Sequence, residues 1–254
     1  MTDAELTARL RANILDFKAL QAHSGPLRML ELPGVRAFAL PHGPTNLFQQ
    51  QVLYENVRAL AEALEPLAAW YREQGVPAWR VPVPPEDSAV EALLSRAGHK
   101  LEDHSPAMGL PLGHRPPIVP AGLTLERPDD LDEVMALNAL SYGQEHVSYF
   151  HSWRVTPLPS PQLHAVLVRE GGKALAGGVS FEQGDTAGIY LVATHPEARR
   201  RGLGALVMQG LHADAYARGC SLAVLQASVM GHGLYRQLGY RELGAWRSWV
   251  RRAP

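Results

Sequence analysis

Apolar residues recur with helical spacing over about residues 4–22, 55–74 and 88–97, and they form strand-like runs at Val35–Leu40, Leu47–Leu53 and Ala78–Val83. Gly98 follows the third helical stretch as a C-terminal cap. A second series begins with a strand at Leu123–Arg127 and a helix at Asp130–Ser141 that has acids in its first turn. Strands then read at Ala165–Arg169, Ala174–Phe181 and Ile189–Thr194. A helix over Gly202–Arg218 presents Leu203, Leu206, Val207, Leu211 and Ala215 on one face and stops at Gly219. The strand Leu222–Ala227, a short helix Gly233–Leu238 and a last strand around Trp246–Val250 complete the order, which is that of a mixed α/β protein.

Between the series, Leu110–Gly122 holds Pro111, Pro116, Pro117 and Pro120, a density that neither helix nor central strand accepts. Three segments follow: an N-terminal α/β domain over 1–112, a linker over 113–122 and a second domain over 123–254. Both halves end strand, helix, Gly75 or Gly219, strand, helix, Gly98 or Gly239, strand. They read either as distant copies or as two stretches sharing the ordinary alternation of α/β chains.

The 254 residues are enough for one large or two small cores. Lys and Arg number 24 against 25 Asp and Glu, so nothing in the overall charge favours nucleic acid or an anionic membrane, and an anion site must be local. No apolar run approaches the roughly 18 residues that span a bilayer. The first twenty residues are interrupted by Asp3, Glu5, Arg9, Arg11, Asp16 and Lys18, unlike a signal peptide. The single Cys220 makes no intrachain disulfide, and a cytoplasmic protein is the expectation. Eleven histidines show no metal-ligand spacing, so no metal site is expected.

One segment concentrates chemistry: Val192-Ala-Thr-His-Pro-Glu-Ala-Arg-Arg-Arg-Gly-Leu-Gly-Ala205, between a strand and an amphipathic helix. A helix start leaves several N–H groups unpaired and carries the positive end of the dipole, which suits a phosphate. Gly202 and Gly204 keep those amides accessible, and Arg199, Arg200 and Arg201 add charge. A P-loop would need Gly-Lys-Ser/Thr and a dinucleotide fingerprint a third glycine at Val207; neither is present. The bland alternative is a basic surface turn.

Arg199-Arg200-Arg201-Gly202-Leu203-Gly204, preceded by Thr194-His195-Pro196-Glu197 and followed by Leu234-Tyr235-Arg236-Gln237-Leu238-Gly239-Tyr240, resembles the GNAT N-acetyltransferase superfamily over about Leu123–Arg251. The resemblance implies acetyl-CoA as cofactor, with its arm between the strand ending at Thr194 and the strand Leu222–Ala227. It implies pairing to the main chain of Val192 and Thr194, with pyrophosphate on the amides of Arg200–Ala205. It also implies Tyr235 near the cofactor sulfur as proton donor, and Ser228 where many members carry Asn. Where histone-type members of the family carry a glutamate base, this chain has Gly188. Glu145, His146 and Glu182 are the substitutes considered, Glu145 being placed with Tyr235 and Ser228 in the catalytic set. The aromatics Tyr142, Tyr149, Phe150 and Trp153 read as acceptor wall or as core, and Cys220 as core rather than as an acyl carrier.

The implied reaction is direct acetyl transfer to a primary amine of a small molecule or peptide. The rival is a non-catalytic acyl-CoA-binding module. A homodimer is left open. The amino-terminal half, with Glu55–Leu60 where the arginine loop would be and Leu94 at the position of Tyr235, is at most a degenerate copy.

Overall fold

The computed structural model describes residues 2–41, 47–142, 147–153, 158 and 160–252. In chain order the elements are α1 (Asp3–Ser24), β1 (Arg28–Leu32), β2 (Val35–Ala39), β3 (Gln51–Tyr54), α2 (Val57–Glu73), β4 (Ala78–Val83), α3 (Ser88–Arg96) and β5 (Lys100–Pro111). There follow β6 (Leu123–Glu126), α4 (Asp132–Tyr142), α5 (Val147–Ser152), β7 (Leu163–Glu170), β8 (Lys173–Gln183) and β9 (Thr186–Thr194). The chain ends with α6 (Leu203–Ala217), β10 (Leu222–Gln226), α7 (His232–Gln237) and β11 (Arg241–Arg252). This is the mixed α/β class the sequence predicts. Strand β1, short and carrying Arg28 and Glu31, is an addition, and the strand expected after Gly98 is β5, which runs through Pro106 and ends on Pro111.

The chain divides into two compact units, one of residues 1–20 and 107–243, the other of residues 21–106 and 244–254. Within the first, β6, β7, β8 and β9 pair antiparallel in turn, β9 and β10 pair parallel, and Leu222–Gln226 of β10 pairs antiparallel with Ala107–Pro111 of β5. Within the second, β1, β2 and β3 pair antiparallel, β3 meets β4 in parallel, and β4 pairs antiparallel with Arg247–Arg252 of β11. From β7 and from β1 onward the two units thus repeat one scheme of three antiparallel strands, a helix, a parallel strand, a second helix and an antiparallel partner, with β6 as a fourth antiparallel strand in the first unit. That final partner comes from the other half of the sequence. The crossings fall inside β5 and β11, so the proline-rich segment 113–122, expected as the linker, lies within the first unit.

The expected apolar face of α6 is buried: Leu203, Leu206, Val207, Leu211 and Ala215 are each 5% exposed or less, the first four packing with Val166, Val168, Ile189, Ala223 and Leu225 and Ala215 with Ala187 and Cys220. Burial of such a side chain contributes about 1.5–3 kcal/mol. A separate core in the second unit joins Leu60, Ala63, Leu67 and Tyr71 of α2 to Val81, Val83, Val90 and Leu94. Most of α1, residues 3–20, expected in an amino-terminal domain, belongs instead to the first unit, where Asn13 and Phe17 reach β8 and β9. Among the described residues no helix is long and apolar enough to cross a membrane.

Candidate active site

The site grows from the edge of β9. Its parallel pairing with β10 runs Thr186↔Leu222, Ala187↔Ala223 and Gly188↔Val224, then stops, although β9 continues to Thr194. On its other edge β9 stays bonded to β8 as far as Ala176↔Thr194. Main-chain groups between Ile189 and Thr194 therefore border a gap where a strand would otherwise lie, and Val192 and Thr194 are both half-buried there.

A bulge shapes this edge. The register passes from Gly177↔Ala193 to Val179↔Tyr190, so Leu191 and Val192 together oppose Gly178. Leu191 takes φ 55°, an uncommon backbone state for a branched side chain. The Nδ2 of Asn138, fully buried on α4, donates to the Leu191 carbonyl and to the Val134 carbonyl, both at 2.8 Å. Sequence reading missed Asn138; its signal is a polar residue on the buried face of an otherwise apolar helix.

Beyond β9 the His195 amide donates to Leu175 O at 2.8 Å, and a single 3₁₀ turn, Pro196–Ala198, delivers the arginines. Arg200 (φ 62°) and Gly202 (φ 78°) both adopt left-handed backbone, and Gly202 caps α6 without a side-chain hydrogen bond. The first amide of this region to find a protein partner is that of Leu206, which donates to Gly202 O at 3.1 Å. Among the described residues the amides from Arg200 to Ala205 make no hydrogen bond, which leaves a concave row of donors at a helix start. Leu203 anchors the row by burying its side chain, 2% exposed. A Cβ on Gly204 would stand 3.3 Å from Leu234 and 3.6 Å from Thr194 Oγ1, so a larger residue there would press on the gap.

The arginines divide. Arg201 is committed to a two-bond ion pair with Glu170, at 2.7 and 3.1 Å. Arg199 and Arg200 are exposed and form no ion pair among the described residues.

Tyr235, on α7, is 9% exposed. Its ring packs edge-on to Tyr240 at 5.8 Å and lies so near Gly231 that a Cβ there would fall 2.8 Å from Tyr235 Cε2. Burial, with a smaller effect from the Tyr142 phenol, pushes the Tyr235 hydroxyl up to about 12, so it is protonated at neutral pH. That hydroxyl makes no hydrogen bond among the described residues and is free to donate. Ser228 sits at the turn before α7, where its hydroxyl accepts the Gly231 N–H at 3.1 Å and its carbonyl accepts that of His232 at 3.0 Å. It holds the turn that carries Tyr235.

The expected bases fare differently. Glu145 and His146 lie outside the described residues. Burial alone would raise the Glu182 carboxyl, but hydrogen bonds from His164 and Arg218 hold it below the ordinary carboxylate range, a poor setting for a base. At Gly188 there is no side chain, and a Cβ would lie 1.8 Å from Asn13 Oδ1. Asn13 donates to Phe181 O at 3.0 Å and accepts from the Tyr190 hydroxyl at 2.7 Å, so the space is filled and hydrogen-bonded. Of the aromatics, Tyr149, Phe150 and Trp153 are core residues no more than 3% exposed, whereas Tyr142 is 43% exposed. Cys220 is core as expected, buried beside Ala187 and Ala215, with burial raising its thiol to about 11. No three His, Cys, Asp or Glu residues group as metal ligands among the described residues.

A family model described as "Acetyltransferase (GNAT) family" matches residues 131–240, which contain the bulge, the donor row and Tyr235. The match places a GNAT acyltransferase domain at residues 131–240, under half of the chain. Solved structures share the fold over almost the whole chain. A GCN5-related N-acetyltransferase from Kribbella flavida has TM-score 0.70 at 20% identity, covering 96% of this chain and 94% of its own. One from Sphaerobacter thermophilus has TM-score 0.60 at 17% identity, covering 100% and 95%. A tandem GNAT protein from the clavulanic acid biosynthesis pathway has TM-score 0.61 at 14% identity, covering 97% and 96%. No curated protein matches the chain.

Proposed function

We propose that the protein is an acetyl-CoA-dependent N-acetyltransferase of the cytoplasm that passes acetyl directly to a primary amine of a small molecule or peptide. The observation that carries this reading is the meeting of two unsatisfied features: β9 leaves β10 after Gly188, and the amides from Arg200 to Ala205 stay unpaired beside the opening. A pantothenate arm with amide groups can complete the strand edge, and a diphosphate can take the N–H row. The residues present fit that cofactor, which when bound supplies an activated thioester.

The chain's own groups divide the remaining work. Main-chain groups of Val192 and Thr194 align the arm, and Asn138 keeps the Leu191 bulge in place. Arg199 and Arg200 add positive charge near the amide row, while Arg201 braces the loop through Glu170. Tyr235 delivers a proton to the leaving sulfur; burial keeps its phenol protonated at neutral pH, so the proton is there to give. Ser228 positions Tyr235 through Gly231. Removal of the amine proton is assigned to Glu145, because Glu182 is tied up and Gly188 offers no carboxylate.

The second unit fits a degenerate copy of the same scheme. Its α2 start is capped by Asn56, whose Oδ1 accepts the Ala59 N–H at 3.0 Å, and Tyr54 on β3 donates to Asp87 before α3 at 2.7 Å. The Asn56 contact uses up a helix-start amide of the kind that stays unpaired at α6.

The filled space at Gly188 favours one second reading, a non-catalytic acyl-CoA-binding module. Thiol release from acetyl-CoA over a panel of amines, amino acids, polyamines and peptides separates them. Acceptor-dependent release that falls in Tyr235→Phe supports the enzyme; CoA binding with no release over the panel supports the module.

A further inference from the structure

Arg80 of β4 is 3% exposed, and its guanidinium pairs with no carboxylate among the described residues. Its two hydrogen bonds go to neutral oxygens: Nη1 donates to Ser248 Oγ at 3.2 Å and Nη2 to Gln51 Oε1 at 2.8 Å. Nε is buried with no partner. The acid whose charge reaches Arg80 is Asp103, which is exposed, forms no ion pair with it and accepts its own neighbour's N–H, that of His104, at 2.7 Å. Once those bonds are counted, what remains around the guanidinium is donors: Arg80 Nε–H, the Gln51 side-chain NH₂ and the Ser248 hydroxyl hydrogen. A charge taken out of water without a counter-ion is unfavourable for the fold, and a cluster left with donors alone is the complement of an anion. The cover is thin, for the Phe48 ring lies 4.2 Å from Arg80 Cζ and is itself 43% exposed.

We propose that Arg80, with Gln51 and Ser248, forms an anion site in the second unit that takes the carboxylate of a small molecule. The Nε and Nη2 edge of a guanidinium meets a carboxylate with two parallel hydrogen bonds, which Lys cannot reproduce. The Ser248 hydroxyl donates a third. The carboxylate belongs either to the amine acceptor or to a separate effector. The site itself does not depend on the acyl-transfer reading; only the choice between those two sources does.

The test uses the full chain, Arg80→Met and Arg80→Lys. Thermal unfolding is followed in sodium succinate or L-glutamate, against succinamide and against sodium chloride at matched ionic strength. The expected result is a carboxylate-specific rise in wild-type Tm, weakened at least tenfold in concentration dependence by Arg80→Lys and lost in Arg80→Met. Without ligand, Arg80→Met should unfold no earlier than wild type, because it removes a charge that lacks a counter-ion; a merely structural arginine would give the opposite. No carboxylate response in wild type, or a response that survives both substitutions, overturns the site. Thiol release with glycine against glycinamide then distinguishes the sources. A rise in KM for glycine alone in Arg80→Lys, at unchanged kcat, assigns the carboxylate to the acceptor. An unchanged KM with a lost thermal response assigns it to an effector.

Discussion

The side-chain amide of Asn13 stands where a side chain on Gly188 would begin, an ideal Cβ there falling 1.8 Å from Asn13 Oδ1. The helix that supplies Asn13 starts the chain, 175 residues before the glycine it packs on. Gly188→Ala should therefore destabilise the protein by about 1–3 kcal/mol through overpacking, and Gly188→Glu by at least as much, without creating a base. Urea denaturation of the two variants measures this.

At the cofactor loop, backbone should count for more than charge. Gly202→Val forces a β-branched residue to φ 78°, and Gly204→Val places methyl groups against Leu234 and Thr194. Each is expected to weaken CoA binding at least tenfold by calorimetry, roughly 1.4 kcal/mol or more. Arg201→Ala, whose charge already faces Glu170, should cost about twofold.

Much of this loop was legible in the sequence because its determinants are local. A helix start, two glycines and a tyrosine a fixed distance on lie within about forty residues, and the helix begins after Gly202 where that reading puts it. What was hidden depends on pairing across long separations. A strand after Gly98 was legible but its reach and partner were not: Pro106 and Pro111 mark a break, yet its last five residues, Ala107–Pro111, pair with β10. The missing carboxylate at Gly188 was visible, whereas its replacement by Asn13 was not. The same holds for Asn138, whose partner Leu191 lies on another element, and for Arg80, whose buried charge shows only once β4 has its neighbours.

Asn138 is a positioning residue at the bulge. Asn138→Ala removes the bond to the Leu191 carbonyl and should lower kcat roughly tenfold, the effect of about 1.4 kcal/mol at the barrier. CoA affinity should change much less, because the amide row of α6 is untouched. Steady-state kinetics with parallel CoA titrations reads the difference.

Tyr235→Phe should reduce kcat by about 10- to 100-fold and leave the KM for acetyl-CoA near its wild-type value, as loss of a proton donor does. The phenol is raised to about 12 by burial and by Tyr142, so it imposes no decline in rate between pH 7 and 10. Stability has a related signature. A folded pKa above the unfolded value near 10 contributes stability that is complete below pH 10 and is lost as pH rises toward 12. Tyr235→Phe should remove that part of the alkaline destabilisation in denaturation curves.

His212 gives the opposite limb. Burial, and to a lesser degree Arg115, depresses it from 6.5 to about 4, and its Nε2 lies 2.7 Å from the Tyr240 hydroxyl. The unfolded chain takes up the proton first, so this contribution is full above pH 6.5 and is lost as pH falls to 4. Its ceiling is about 3 kcal/mol. His212→Asn should flatten stability against pH over that window, as followed by urea midpoints.

The most direct trial of the account is amide hydrogen exchange with and without CoA. Slowed exchange across Arg200–Ala205 and along Ile189–Thr194, with the α2 start at Asn56–Leu60 unaffected, is the result expected. Binding that leaves exchange at Arg200–Ala205 unchanged, or no binding at all, would contradict it.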